Sequence, residues 1–325
     1  CRYTASITCI AQLSVNNCMQ AFCGLSDGTI GAHDVNTPKT QRAISNSLVP
    51  WFQHTAAIVA IAVDTAECWM IVALKDSTLQ VHSVEKQTKL SNGKTQQPIV
   101  SMAYCQSSKR LFTGLQSGVV SVWDMKGGSA SHMSAIPVHQ DIPISCLYYE
   151  PGNMFVGSSQ GISQWEVTEW GNQAIGRLVQ QVEPVATAPT AIAWSSASKE
   201  ILASFHNGTV AAFDMDAGKV GFVMTFHRHE VTALCWLEPQ RQLLSASKDK
   251  TVAIWSLPTP NGQRVMPETV VVSASTGVAA APQTAAPISP PSSAATATTR
   301  ATVVGAAPGA VFQADSDDDL AGWDS

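Results

Sequence analysis

The chain has 325 residues, of which 45% are hydrophobic and 13% are charged, enough apolar material for one large packed domain. It has no run of about 18 apolar residues, the length that a membrane-spanning helix needs, so we expect no insertion into a membrane. The net charge of −5, without clusters of Lys and Arg, argues against a nucleic-acid-binding protein, because phosphate contacts require a basic surface.

The eight cysteines never occur as Cys-x-x-Cys, the spacing used by many zinc sites and redox motifs. Three of them, Cys9, Cys146 and Cys235, fall in apolar segments, where a free thiol behaves as a small hydrophobic side chain. We therefore expect free cysteines, a reducing and cytoplasmic location, and neither a metal nor a cofactor.

One short apolar segment recurs six times along the chain, and its copies align residue by residue. Side chains alternate faces along a strand, so each copy predicts a β-strand with a small third residue and a large fourth residue. We expect crowding between neighbouring repeats near a central axis to cause this pattern. The copies begin with Ile7–Ala11, Ile58–Ala62, Ile99–Ala103, Ile144–Tyr148, Pro189–Ala193 and Val231–Cys235.

A tight polar turn followed by another β-rich run also recurs six times. Gly, Asn or Asp at such a turn supplies the positive φ, or the local side-chain hydrogen bond, that a short hairpin needs. The second residues of the turns are Gly28, Ser77, Gly118, Gly161, Gly208 and Lys250, at spacings of 49, 41, 43, 47 and 42 residues. We place the extra residues of the two longest intervals in the connections 36–53 and 169–188.

The last repeat has His229 before its first strand, Ser245 and Ser247 on its second, Asp249 in its turn and Trp255 at the end of its third. It resembles the WD repeat, a propeller blade of about 40–45 residues that begins with His and ends in Trp-Asp or a variant. The resemblance implies an all-β WD40 β-propeller over residues 1–258. It also implies that His229 bonds the hydroxyl of Ser245 or Ser247, which meets Trp255, while Asp249 orients the His.

The other repeats keep only part of this set. Trp123 and Asp124 close the third repeat without an Asp in the preceding turn, and in the second repeat His54 is accompanied by His82 in the place of Trp. The His-Ser-Asp set of the last repeat is also the residue set of a hydrolase. Because the WD family uses this set as a strut inside a blade, we interpret it as structural.

Six repeats leave the number of blades open. WD propellers usually have seven blades, and ring closure joins strands from both chain ends, which removes exposed edges. Because the chain opens directly at a first strand and lacks an initiating Met, we expect a seven-bladed ring of which one blade or its closing strand is absent from this chain. A six-bladed ring is the alternative.

Within residues 99–257, two pairs of runs resemble the propeller of the WD-repeat and FYVE-domain-containing proteins. Proteins of that family also carry a zinc finger that binds phosphatidylinositol 3-phosphate on endosomes, and its paired Cys-x-x-Cys ligands do not occur in this sequence. The resemblance implies a scaffold at the periphery of endosomes, without the finger. The runs are Ser101–Tyr104 with Lys109–Gly114, and Cys235–Leu237 with Arg241–Ser245.

After Pro258 the composition and periodicity of the sequence change. Residues 259–311 are rich in Ala, Thr, Ser and Pro without a strand or helix period, which is typical of a disordered linker. Residues 312–325 then embed Leu320 and Trp323 among aspartates, a pattern that predicts a short linear motif with two apolar anchors and an acidic surround. The remaining members of this predicted site are Asp317, Asp318, Asp319 and a phosphorylation candidate, Ser316.

Two classes of function follow from this organisation. The first is a non-catalytic adaptor, in which a monomeric propeller binds one partner protein and the acidic tail docks another within a larger complex. The second is an enzyme with its active site at the central channel of the propeller, since a fold does not fix a function. The third residue of each aligned segment is a small Ala, Cys or Ser, and these small side chains near the axis favour the adaptor.

Overall fold

The computed structural model describes residues 5–15, 18–34, 50–170, 173–182 and 187–256. These residues form six antiparallel sheets, and none of their helices is long and apolar enough to cross a membrane. The predicted linker 259–311 and the predicted motif 312–325, with Ser316, Asp317, Asp318, Asp319, Leu320 and Trp323, lie outside the described residues.

Each sheet is one blade, numbered 1 to 6 in chain order. Blade 1 contains β1 (Ile7–Val15), β2 (Cys18–Leu25), β3 (Thr29–Asp34) and β4 (Pro50–Gln53), and blade 2 contains β5 (Ile58–Asp64), β6 (Trp69–Leu74), β7 (Thr78–Ser83) and β8 (Thr88–Lys94). Blade 3 contains β9 (Ile99–Cys105), β10 (Arg110–Leu115), β11 (Val119–Asp124) and β12 (Ser131–Pro137), and blade 4 contains β13 (Ile144–Glu150), β14 (Asn153–Ser158), β15 (Gly161–Trp170) and β16 (Gln173–Val182). Blade 5 contains β17 (Pro189–Ser195), β18 (Glu200–Phe205), β19 (Thr209–Asp214) and β20 (Lys219–Thr225), and blade 6 contains β21 (Val231–Leu237), β22 (Gln242–Ser247) and β23 (Val252–Ser256). Two single turns of 3₁₀-helix, Lys126–Gly128 and Glu238–Gln240, complete the described elements.

The strands of every blade are hydrogen-bonded in chain order, so each blade is an antiparallel meander. The six aligned first-strand segments are β1, β5, β9, β13, β17 and β21, and each of the first five packs against the inner strand of the blade that follows it in the chain. The predicted all-β propeller is therefore confirmed, with six blades among the described residues.

The predicted turns join the second and third strands of each blade, and their second residues all have positive φ. The values are +86° at Gly28, +71° at Ser77, +83° at Gly118, +107° at Gly161, +87° at Gly208 and +69° at Lys250. At Gly208 a Cβ atom would lie 2.3 Å from the backbone oxygen of His227. Glycine is required there because the turn of blade 5 is pressed against the segment that leads into blade 6.

Aromatic side chains on the inner strands join neighbouring blades. Tyr149 of β13 stacks on Phe112 of blade 3 with ring centroids 3.9 Å apart, and Trp194 of β17 stacks on Phe155 of blade 4 at 4.7 Å. Both phenylalanines are fully buried, so each stack removes a large apolar area from water.

The inner strand of blade 1 differs from its equivalents in exposure. Ile7 and Ile10 of β1 are 49% and 64% exposed, whereas Ile58, the equivalent of Ile7 in blade 2, is 1% exposed. Six blades account for the described residues, and the seventh blade stays a prediction.

Candidate functional site

A buried polar network spans blade 6. Nε2 of His227 lies 2.8 Å from Oγ of Ser245, and the indole Nε1 of Trp255 donates a hydrogen bond of 2.8 Å to the same oxygen. Nδ1 of His227 lies 3.1 Å from Oδ2 of Asp249. One set of proton positions satisfies all three contacts: His227 donates to the carboxylate, Ser245 donates to His227, and Trp255 donates to Ser245.

The histidine of this network is His227, and the prediction that named His229 is wrong. The side chain of His229 is exposed, and its backbone oxygen accepts a 2.9 Å hydrogen bond from Ser247 Oγ. The sequence did contain the signal: His227 stands four residues before Val231, the first residue of β21, as His54 stands four before Ile58. A side chain two residues before the strand, as at His229, does not enter the blade.

Asp249 holds the turn of blade 6 as well as the histidine. Its carboxylate accepts hydrogen bonds from the backbone N–H groups of Thr251 at 2.9 Å and Arg228 at 3.0 Å, and from the Thr251 hydroxyl at 2.5 Å. Desolvation acts to raise the pKa of Asp249, but these bonds and the one from His227 outweigh it and lower the pKa well below its usual value. The aspartate is therefore ionised over the whole physiological pH range.

This arrangement is a strut and not a nucleophilic centre. Ser245 is fully buried and Trp255 is 3% exposed, so no substrate reaches the hydroxyl in this conformation. The Ser245 hydroxyl is also engaged on both sides, by His227 and by Trp255. The network ties the segment before β21 to β22 and β23.

Blades 3 and 4 contain partial versions of the network. In blade 3 the Trp123 indole donates to Thr113 Oγ1 at 3.1 Å, and Asp124 forms an ion pair of 2.8 Å with Arg110. In blade 4 the contacts are divided between two other serines: Trp165 donates to Ser163 at 2.9 Å, while His139 Nε2 lies 3.1 Å from Ser158 Oγ.

Blade 2 has both rings and lacks the hydroxyl between them. Strand pairing places Val72 at the position of Ser245, and His82 at the position of Trp255. His54 and His82 are 7% and 3% exposed. Within the described part of the chain, Nε2 of His54 and both ring nitrogens of His82 are buried without a hydrogen-bond partner.

No group of three or more metal-binding side chains comes together among the described residues. The residues predicted for partner binding, Leu320, Trp323 and Asp317 to Asp319, and the phosphorylation candidate Ser316 lie outside that part of the chain. The described site residues thus belong to the frame of the blades.

Comparisons with known proteins agree with this geometry. The family "WD domain, G-beta repeat" matches residues 220–256, which include the network of blade 6. The rice protein "Zinc finger CCCH domain-containing protein 17" (Oryza sativa subsp. japonica) is 24% identical over 165 residues, covering 50% of this chain and 34% of that protein. The human protein "WD repeat and FYVE domain-containing protein 2" is 24% identical over 168 residues, covering 49% of this chain and 40% of that protein.

The chain therefore spans well under two thirds of the length of these curated relatives. Among solved structures, the computationally designed Ika8 protein superposes with a TM-score of 0.58 at 21% identity, over 84% of this chain and 78% of that one. This likeness concerns the fold. The six meander blades form a β-propeller, and the WD-repeat family model matches residues 220–256, which contain the strut of blade 6.

Proposed function

We propose that this protein is a non-catalytic adaptor, whose propeller binds one partner protein and whose acidic C-terminal segment docks a second. WD-repeat propellers typically serve as protein-interaction scaffolds. In this chain the polar set that resembles a hydrolase is buried as a strut, which leaves the surface of the blades to carry the function.

The observation that carries the proposal is a set of three exposed apolar side chains on the outer strand of blade 4. Ile175, Leu178 and Val179 of β16 are 53%, 46% and 51% exposed. They lie on the outer strand of the sheet order β13-β14-β15-β16, which pairs with one other strand among the described residues. The open edge of such a strand can pair with another chain. Exposed apolar side chains on an outer strand are typical of a protein-binding surface.

The second docking element is the segment 312–325. Leu320 and Trp323 are the apolar anchors, and Asp317, Asp318 and Asp319 favour a partner with a basic rim around its pocket. Phosphorylation of Ser316, which precedes the three aspartates, adds a charge of about −1.5 to −2 and strengthens that docking.

We place the adaptor in the cytoplasm, at the periphery of endosomes, as part of trafficking or signalling complexes. The support is the similarity over about half the chain to a human protein that carries WD repeats and a FYVE domain. Fluorescence microscopy of the tagged chain tests the location: overlap with an endosomal marker is expected, and uniform staining contradicts it.

The adaptor proposal is tested by affinity capture from lysate with four forms of the chain. These are the intact chain, a truncation after Pro258, the double variant Leu320→Ala with Trp323→Ala, and the strand variant Leu178→Asp. Val223→Asp is the matched control for the strand, because Val223 is 44% exposed on β20, the outer strand of the next blade.

The truncation and the double variant are expected to lose the same partners, and Leu178→Asp is expected to lose a different set that Val223→Asp retains. If all the variants retain every partner of the intact chain, neither element docks a protein and the adaptor proposal fails. A synthetic peptide of residues 312–325, with and without phosphate on Ser316, tests the phosphorylation step: equal affinities contradict it.

A further inference from the structure

The interface between blades 2 and 3 contains an internal cation site. Asp64, the last residue of β5, is fully buried; it accepts a hydrogen bond of 2.5 Å from the Tyr104 hydroxyl and pairs with Lys109 Nζ at 2.5 Å. The ammonium group also lies 5.8 Å from the ring centre of Trp69. The Asp64 carboxylate and the Trp69 ring thus hold Lys109, and Tyr104 holds the carboxylate.

The same positions recur between blades 4 and 5, but the lysine is not in place. Glu150 ends β13 as Asp64 ends β5, and Trp194 is the next-to-last residue of β17 as Tyr104 is of β9. Lys199 precedes β18 as Lys109 precedes β10, and both lysines have a φ of +54°. The Lys199 side chain is 64% exposed and turns to Asp216, 3.4 Å away.

An open cavity of about 440 Å³ lies at this position. Its lining includes Glu150, Trp194 and Tyr148, and blade 6 adds Trp236 and Glu238. Glu238 is fixed in place, because it accepts hydrogen bonds from the Trp236 indole and, at 3.0 Å, from the backbone N–H of Ala197. The cavity therefore combines three aromatic side chains with two carboxylates.

Among the described residues, no cation forms an ion pair with the carboxylates of this cavity, Glu150 and Glu238. Desolvation raises the pKa of Glu150, the neighbouring Trp194 indole opposes that rise, and the charge of Glu238 adds to it. A cation entering the cavity meets three aromatic side chains and two carboxylates, the combination that stabilises ammonium and guanidinium groups.

We propose that this cavity binds a basic side chain, a lysine or arginine of a partner protein, in the place that Lys109 fills between blades 2 and 3. The proposal rests on the proposed adaptor function, since a partner protein supplies the cation, and it names the chemistry that the propeller recognises.

The test is ¹⁹F NMR of the full chain labelled with 5-fluorotryptophan. Nine tryptophans give nine resonances, and the variants Trp194→Phe and Trp236→Phe assign the two that line the cavity. The probes are acetylated and amidated Gly-Gly-Lys-Gly-Gly, its arginine counterpart and its norleucine counterpart, which keeps the length of the side chain without the charge. Peptide is added to about 10 mM, because a few contacts to one side chain give weak affinity.

The lysine or arginine peptide is expected to shift the Trp194 and Trp236 resonances saturably, and the norleucine peptide is not. Glu150→Gln is expected to weaken the binding by about tenfold or more, because the charged hydrogen bond is lost. Glu166→Gln is the matched control, since Glu166 is a carboxylate of the same blade that pairs with Arg177 on the surface. Unchanged Trp123 and Trp255 resonances show that each variant is folded.

Three results overturn the proposal. The first is no shift of the Trp194 and Trp236 resonances with either basic peptide, and the second is an equal shift with the norleucine peptide. The third is binding that appears only in Lys199→Met, which would mean that Lys199 fills the cavity itself. The resonance of Trp323 separates this test from that of the adaptor. A basic peptide that moves Trp323 alone binds the acidic tail, which supports the adaptor and contradicts the cavity.

Discussion

His54 and His82 pack edge to face inside blade 2, with ring centroids 5.3 Å apart, and no hydroxyl lies between them. The position between them holds Val72, where blade 6 has Ser245 and blade 3 has Thr113. A buried ring nitrogen without a partner is costly, because the hydrogen bond it made to water in the unfolded chain is not replaced. Blade 2 therefore contains an incomplete strut.

Val72→Thr is expected to complete this strut and to raise the free energy of unfolding by about 1 kcal/mol. Threonine has nearly the shape of valine and brings a hydroxyl to the two histidines. The matched control is Val156→Thr at the same position of blade 4, where His139 and Trp165 already have partners in Ser158 and Ser163. There the hydroxyl is surplus and is expected to cost about 1–3 kcal/mol. Urea unfolding measures both, and equal effects of the two substitutions contradict the explanation.

The same histidine pair makes the stability depend on pH. Desolvation, together with the charges of His54 and Lys89, lowers the pKa of His82 from 6.5 to about 4, and desolvation also lowers the pKa of His54. Near pH 6.5 these histidines therefore bind protons in the unfolded chain but not in the folded chain. Stability is full above about pH 6.5 and falls as the pH decreases toward 4, with His82 alone contributing a loss of about 3 kcal/mol.

Urea unfolding at several pH values between 7.5 and 4.5 checks this dependence. The variant His82→Phe, which carries the residue found at the same position of blade 5 as Phe213, is expected to flatten the curve. His229→Gln removes an exposed histidine and is expected to leave the slope as it is. A His82→Phe curve parallel to that of the parent chain would refute the assignment.

The strut of blade 6 predicts unequal effects for two histidines that stand two residues apart. His227→Ala removes a partner of the buried Ser245 hydroxyl and of the partly buried Asp249 carboxylate, so we expect a loss of about 2–4 kcal/mol. His229→Ala removes an exposed side chain, and its effect is expected to stay within about 0.5 kcal/mol. Thermal unfolding followed by tryptophan fluorescence measures both, and a larger loss at His229 would reverse the assignment.

The sequence was sufficient for those features that depend on local pattern. The six inner strands begin at the aligned segments, and Gly28, Gly118 and Gly208 take the positive φ that their turns require, because strand period and turn chemistry act over a few residues. The choice of His227 over His229 depended on how the chain enters the blade. The lack of a hydroxyl at Val72 can be recognised only when the strand register is known, because equivalent positions of different blades are found by aligning their paired strands.

The cavity between blades 4, 5 and 6 could not be predicted from the sequence for a related reason. Glu150, Trp194 and Trp236 belong to three different blades, and nothing in their spacing along the chain shows that they meet. The equivalence of Lys109 and Lys199 is visible in the repeat alignment. Lys109 turns inward and Lys199 turns outward because of the contacts that each side chain makes.

That difference between the two lysines gives the last prediction. Lys109→Met leaves the fully buried Asp64 without its cation, and removing one partner of a buried pair costs about 3–5 kcal/mol. Lys199→Met changes the equivalent residue of blade 5, whose pair with Asp216 is 64% and 74% exposed, so the expected effect is below about 1 kcal/mol. Urea unfolding at pH 7 compares the two variants. The double variant Lys109→Met with Asp64→Asn is expected to recover part of the loss, because it removes the unpaired charge. If Lys109→Met and Lys199→Met are equally stable, the buried cation does not hold blades 2 and 3 together.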